Sequence, residues 1–172
     1  MINYADVIVD LQAGDTGKGK VAHALAKSGD YTHVVRYNGG GNAGHTVYHN
    51  GQKFVTHFIP VGVLYGVKSI IGPGCVLDPN KLEQEILELE KGGINVREHL
   101  FVDERVHIVL PNYIEEDMKD SMIGTTKTGN GPTYRNKYNR SGVRAKDYLP
   151  ESMLIDSYKE FHMAERVSIL FE

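Results

Sequence analysis

The chain has 172 residues, a net charge of −3 and one cysteine, Cys75. That length suits one domain of ordinary size with a real core. Dispersed lysines and arginines give no support to nucleic acid as a partner, and a lone cysteine excludes an intrachain disulfide and points to a reducing compartment. Asp6 and Asp10 are wrong for a signal peptide, and no apolar run approaches the ~18 residues of a membrane span.

The nineteen glycines cluster at 14–19, 39–44, 72–74 and 124–131, which predicts loops that touch a ligand. The apolar run 7–11 predicts a strand, and 21–27 a helix. Between them lies Gly14-Asp15-Thr16-Gly17-Lys18-Gly19-Lys20. A Gly-rich loop from strand to helix suits phosphate, because free N–H groups and the helix dipole meet the anion. It is not a Walker A loop, since Gln12 stands where that pattern needs glycine and Gly19 where it needs Ser or Thr. Asp15 would repel a phosphate unless it binds a metal or moves a proton. The other reading is a surface turn with scattered charges.

Residues 31–37 predict a second strand, running into the Gly-rich loop 38–46. Residues 47–49 and 52–58 predict a hairpin about Asn50-Gly51, the pair preferred in a type I′ turn, and Ile59-Pro60 ends it. A strand is expected at 68–71, then a turn at Gly72-Pro73-Gly74. Asp78-Pro79 starts a helix as cap and first residue. Leu82, Ile86 and Leu89 face inward; Glu83, Glu85, Glu88 and Glu90 are expected in solvent, and Gly92-Gly93 closes the helix.

Strands are expected at 100–102 and 106–110 and a helix at 112–119. The polar loop 123–132 leads to Arg135, Lys137, Arg140 and Arg144, a combination suited to a phosphate monoester. It reads equally as a solvated connector. A helix is expected at 155–166 and a central strand at 167–171. These elements predict an α/β fold with a mixed, largely parallel central sheet, flanking helices and Gly-rich phosphate-binding loops.

Five stretches in this order resemble the adenylosuccinate synthetase family. They are Gly14-Asp15-x-Gly17-Lys18-Gly19-Lys20, the run from Val34 to Thr46 with Asn42-Ala43-Gly44-His45-Thr46, His57-x-Ile59-Pro60, Ser69-Ile70-Ile71-Gly72-x-Gly74, and Ile123-Gly124-Thr125-Thr126 with Gly131-Pro132 and Arg140. That family joins aspartate to IMP with cleavage of GTP, giving adenylosuccinate, GDP and phosphate. The resemblance implies that Asp15 takes the N1 proton of the purine, so that its 6-oxygen attacks the γ-phosphate, and that His45 is the acid beside the leaving oxygen. It implies Lys18 as a third catalytic group and Mg²⁺ on Asp15 and the carbonyl of Gly44. Gly14, Thr16, Gly17, Lys18, Gly19, Lys20, Gly44, His45 and Thr46 would hold the nucleotide phosphates. Asp15, Asn42, Thr125 and Thr126 would bind the purine monophosphate, with Arg140 reaching it from the neighbouring subunit of a homodimer. A cytoplasmic location, or a host's cytoplasm for a phage protein, goes with this.

The chain departs from that pattern. The family usually has tryptophan at Ala13, glutamate at Thr16, histidine at Gly41 and a glycine–arginine pair at Lys127-Thr128. These departures resemble the phage-type relatives that act on dGMP, on the route to 2-aminoadenine, and use ATP-type donors such as ATP or dATP. The family is also much longer. Residues 1–172 are expected to be its N-terminal part, without the segments that bind aspartate and select the base, and with strand 167–171 poorly paired. A nucleotide-binding module without catalysis is the competing reading; a generic P-loop NTPase is disfavoured by the failed Walker spacing.

Overall fold

The computed structural model describes residues 2–11, 16–119 and 124–172. Its strands are β1 (Ile2–Val7), β2 (His33–Gly39), β3 (His45–His49), β4 (Gln52–Thr56), β5 (Lys68–Leu77), β6 (Leu100–Asp103), β7 (His107–Ile108), β8 (Leu154–Ile155) and β9 (Val167–Phe171). Its helices are α1 (Lys18–Lys27), α2 (Pro79–Lys91), α3 (Pro111–Lys119), α4 (Asn130–Tyr138) and α5 (Ser157–Met163). The main sheet has the order β1-β9-β2-β5-β6-β8, with β7 beside β5, and every pairing in it is parallel. The antiparallel part of the predicted sheet is a separate hairpin, β3–β4. Asn50 and Gly51 form its turn with φ of 49° and 77°, the positive pair that a type I′ turn requires.

The sheet corrects the fate of 167–171. β9 lies between β1 and β2, with Val167 to Leu170 buried. Next to it the buried Glu172 donates its N–H to Val35 O (2.9 Å) and accepts that of Val61 (3.2 Å). The first strand, expected at 7–11, ends at Val7, where the register with β9 reaches Phe171. Gly72-Pro73-Gly74 is not a turn but the middle of β5. A Cβ at Gly74 would stand 2.0 Å from Tyr37 O, and one at Gly72 2.9 Å from Arg36 O. Two missing side chains let β5 lie directly on the backbone of β2, and the proline falls where the register slips, between Arg36 and Asn38. α4 was hidden by its polar Asn-Gly-Pro start. Pro132 sits in the first turn, where a missing N–H costs little. Asp156 caps α5 through the N–H groups of Tyr158 and Lys159, so the helix begins at Ser157 and leaves Leu154–Ile155 as β8.

α2 begins as expected, with Asp78 accepting from the N–H groups of Asn80 and Lys81. Its inner face carries Leu82, Ile86 and Leu89 into the core with Ile71, Leu77 and Val102. Glu85 does not face solvent as expected. It is buried, and its carboxylate accepts the N–H groups of His57 (3.0 Å), Phe58 (3.2 Å) and Ile59 (2.9 Å). Burial raises its carboxyl above the usual range, against the pull of those donors. A buried carboxylate here replaces the ladder partners that the chain lacks after β4. Glu85→Ala strands three N–H groups and is expected to lower stability by about 3 kcal/mol or more, read as a fall in the urea midpoint; Glu85→Gln, which keeps one acceptor oxygen, loses less.

Candidate active site

Parallel strands send their C-terminal ends to one edge, and loops at that edge form the crevice where open α/β sheets take ligands. β1 and β2 deliver the first two Gly-rich loops there. The start of α1 is set by Gly17, whose φ of 85° is one that side chains rarely adopt. No side chain among the described residues caps this start, so its first N–H groups face the loop.

A cavity of about 350 Å³ opens there. Thr16, Gly17, Lys18, Gly19 and Lys20 form one wall, and Ala43, Gly44, His45 and Thr46 the other. The nucleotide-phosphate candidates thus meet in one place, apart from Gly14, which with Asp15 lies outside the described residues. The walls touch where His45 rests on α1. A Cβ at Gly19 would come within 2.7 Å of His45 Cβ, so that contact needs glycine. Burial first, then the charges of Arg36, Lys18 and His57, hold the His45 imidazole down to about 4. It is neutral near pH 7 in the ligand-free site, and its buried Nδ1 has no hydrogen-bond partner among the described residues. An anion in the cavity reverses the balance, because it favours the imidazolium. Adding GTP or ATP is therefore expected to raise the His45 pKa by more than about one unit, followed by NMR titration of the imidazole; no change would place the triphosphate elsewhere.

Lys18 does not stand free. Its ammonium pairs with one oxygen of Asp10, and Thr16 Oγ1 donates to the other. Sequence reasoning missed Asp10, although an acid in an otherwise apolar run was the available signal. It also missed Arg36, taken for a strand residue. Arg36 is buried beneath the second loop, where its Nη2 donates to Gly40 O at 3.1 Å. His57, read from the sequence only as part of the stretch His57-x-Ile59-Pro60, lies against the same loop: a Cβ at Gly44 would stand 2.8 Å from its Nε2. At Gly41, the position of the family's histidine, Phe58 fills the space, its Cζ 2.4 Å from where a Cβ would be.

A second cavity, about 700 Å³, is reached one residue earlier in the same loop, where Asn42 lines it and Ala43 already lines the first. Asn42, Thr125 and Thr126 line it together, as expected, with Asn130, Gly131 and Arg135. Thr125 Oγ1 accepts the N–H of Lys127 (2.9 Å), and the hydroxyls of Thr126 and Thr128 are 3.0 Å apart. Arg135 is tied to Glu116, and buried Asp117 accepts the N–H of Gly129 at 2.8 Å. Arg140 is not brought in. It is exposed, has a φ of 61° and does not line the cavity of its own chain.

No group of three His, Cys, Asp or Glu side chains suited to a metal occurs among the described residues. Mg²⁺ does not require one, since it commonly takes one or two carboxylates and fills its shell with phosphate oxygens and water. Gly44 on the cavity wall, beside a triphosphate-sized space, is compatible with that donor set.

A parallel sheet with Gly-rich loops at the C-terminal ends of its strands, and two cavities lined by neighbouring residues of one of those loops, defines an open α/β protein with a ligand crevice at that edge. The adenylosuccinate synthetase family model matches residues 7–170, and the chain belongs to that family. It is 43% identical over 172 residues to the adenylosuccinate synthetase of Endomicrobium trichonymphae, covering 95% of this chain and 39% of the relative. With that of Helicobacter acinonychis it shares 45% over 159 residues, covering 90% and 37%. Among solved structures, the succinoaminodeoxyadenylate synthetase of cyanophage S-2L, bound to dGMP and dATP, superposes with a TM-score of 0.81 at 25% identity, over all of this chain and 51% of the other. The fully ligated Plasmodium falciparum adenylosuccinate synthetase has the same fold, with a TM-score of 0.77 at 24% identity over 97% and 50%. The chain spans about two-fifths of the length of these curated relatives. No helix among the described residues is long and apolar enough to cross a membrane.

Proposed function

We propose that this chain is the phosphate-binding N-terminal part of a purine-biosynthetic ligase that joins aspartate to C6 of IMP at the expense of GTP, through a 6-phosphoryl intermediate. The observation that carries the reading is that consecutive residues of one loop, Asn42 and Ala43, line the two cavities. A triphosphate on the Lys18 side and a monophosphate on the Thr125–Thr126 side would bring donor and acceptor nucleotides together, which is what phosphoryl transfer needs.

In this reading Asp15 takes the N1 proton, the 6-oxygen attacks the γ-phosphorus, and the bond from that phosphorus to the β–γ bridging oxygen breaks. Lys18 and the N–H groups of Gly17 and Gly19 hold the phosphates. His45 gives a proton or hydrogen bond to the leaving oxygen. Asp15 and the Gly44 carbonyl would hold Mg²⁺, which would supply charge neutralisation. The amine of aspartate then displaces the 6-phosphate. Asn42, Thr125 and Thr126 hold the 5′-phosphate, and Arg140 serves the partner's site in a cytoplasmic homodimer. Its outward placement in its own chain supports that last assignment. Aspartate binding and base selection belong to the part of the relatives outside this chain. The exposed apolar residues Ile2 and Val7 of the edge strand β1, Val9 and Leu11 just after it, and Val21 of α1 support a covering segment there.

A second reading, action on dGMP with ATP, dATP or GTP, is favoured by the departures at Ala13, Thr16, Gly41 and Lys127-Thr128 and by the likeness to the phage enzyme. One experiment separates them. Phosphate release is measured with Mg²⁺ and aspartate, GTP or ATP, and IMP or dGMP. Release that needs aspartate and one of the purines, and that disappears in Asp15→Ala, supports the synthetase and names its substrate. A folded chain that binds both nucleotides and releases nothing is either a binding module without catalysis or a part that needs the remainder of the synthetase, and supplying that remainder as a second polypeptide separates the two.

A further inference from the structure

Asn42 has a neighbour to which neither the motifs nor the family pattern gives a role. Asn130 opens α4 one residue after Gly129, and its side chain reaches back to the second loop. Its Nδ2 donates to Asn42 Oδ1 at 2.8 Å. The same amide lies against Gly40, where a Cβ would stand 2.6 Å from Asn130 Oδ1 and 2.7 Å from Nδ2. Glycine at 40 thus lets the Asn130 amide approach. Both asparagines line the larger cavity with Thr125 and Thr126.

A side-chain amide has one accepting end and one donating end, whereas phosphate oxygens near neutral pH chiefly accept. Asn42 serves an anion only with its NH₂ turned toward it. Asn130 occupies the carbonyl end of that amide and leaves the NH₂ for the cavity. We propose that Asn130 is a positioning residue for the nucleoside monophosphate: it fixes the Asn42 amide with its donor end toward the 5′-phosphate. The hydrogen bond that orders the Asn42 side chain is made within the protein and does not depend on the phosphate. The inference rests on the larger cavity being the monophosphate site.

The test is a double-mutant cycle read by calorimetric titration of IMP and of dGMP into the wild-type chain, Asn42→Ala, Asn130→Leu and the double variant. Asn42→Ala is expected to weaken binding about tenfold to a hundredfold, the range for one hydrogen bond to a charged group. Asn130→Leu releases the amide and weakens binding by roughly threefold to tenfold. In the Asn42→Ala background, the leucine is expected to change nothing further. Asn130→Asp, which puts an acceptor where the donor was and adds a negative charge, should exceed the leucine loss. A circular-dichroism spectrum and a urea midpoint near those of the wild-type chain report that each variant is folded. Equal weakening by Asn130→Leu in both backgrounds would overturn the inference, since Asn130 would then act without Asn42. The same holds for an aspartate that binds as well as wild type. If Asn42→Ala leaves both titrations unchanged, or neither nucleotide binds the wild-type chain, the assignment of the cavity fails, and the role of Asn130 with it.

Discussion

Replacing Lys18 with methionine is expected to weaken triphosphate binding about a hundredfold, and adding Asp10→Asn to restore about tenfold of that loss, by the size of charge-assisted hydrogen bonds. The ligand-free lysine is already paired: its ammonium lies on the Asp10 carboxylate, which Thr16 also engages. A triphosphate either joins that arrangement or takes the ammonium from it. Without the lysine, the phosphates meet an acid that only a threonine hydroxyl compensates, so repulsion is added to the lost attraction. Neutralising Asp10 removes the repulsion alone. In the wild-type background, Asp10→Asn should tighten binding slightly, because Lys18 no longer has a competing partner. Calorimetric titration with GTP, ATP and inorganic triphosphate measures all four chains. Unchanged affinity in Lys18→Met would show that this loop does not carry the triphosphate. No recovery in the double variant would show that Asp10 does not oppose it.

The elements with strong local signals were legible in the sequence. Asp78-Pro79 and Asn50-Gly51 carry their backbone conformations in their own side chains, and both appear where expected. What was not legible depends on partners far along the chain. Gly72-Pro73-Gly74 reads as a turn until β2 supplies a backbone for it to lie on. Glu85 reads as one more solvated acid until the chain after β4 presents three N–H groups to it. The candidate site divides in the same way. Its loops were found because glycine and charge coincide in sequence. Arg36, His57 and Asn130 were not, because each acts across a distance: on Gly40, on Gly44 and on Asn42.

His45→Ala should slow turnover by about 10²- to 10⁴-fold, the usual span for losing a general acid, while IMP or dGMP binding changes little. The pH dependence gives the sharper expectation. In the empty site the imidazole is held to about 4, so at neutral pH it is a poor proton donor. The causes are burial and the charges of Arg36, Lys18 and His57, all of which disfavour the imidazolium. A bound triphosphate acts in the opposite sense on the same ring, and it gives the protonated nitrogen an acceptor at the leaving oxygen. The working acid is then created by the substrate it serves. If so, turnover at saturating nucleotide falls as pH rises through the elevated pKa of the complex, because the protonated form is the active one. The pKa read from that fall must lie above the ligand-free value measured by NMR. His45→Gln, which donates a hydrogen bond but does not titrate, should lose this limb of the profile and keep more activity than alanine. These profiles are measured on the chain if it turns over alone, or with the remainder of the synthetase supplied as a second polypeptide. A wild-type profile that His45→Gln leaves unaltered would remove His45 as the acid and leave it a hydrogen-bonding wall of the phosphate cavity.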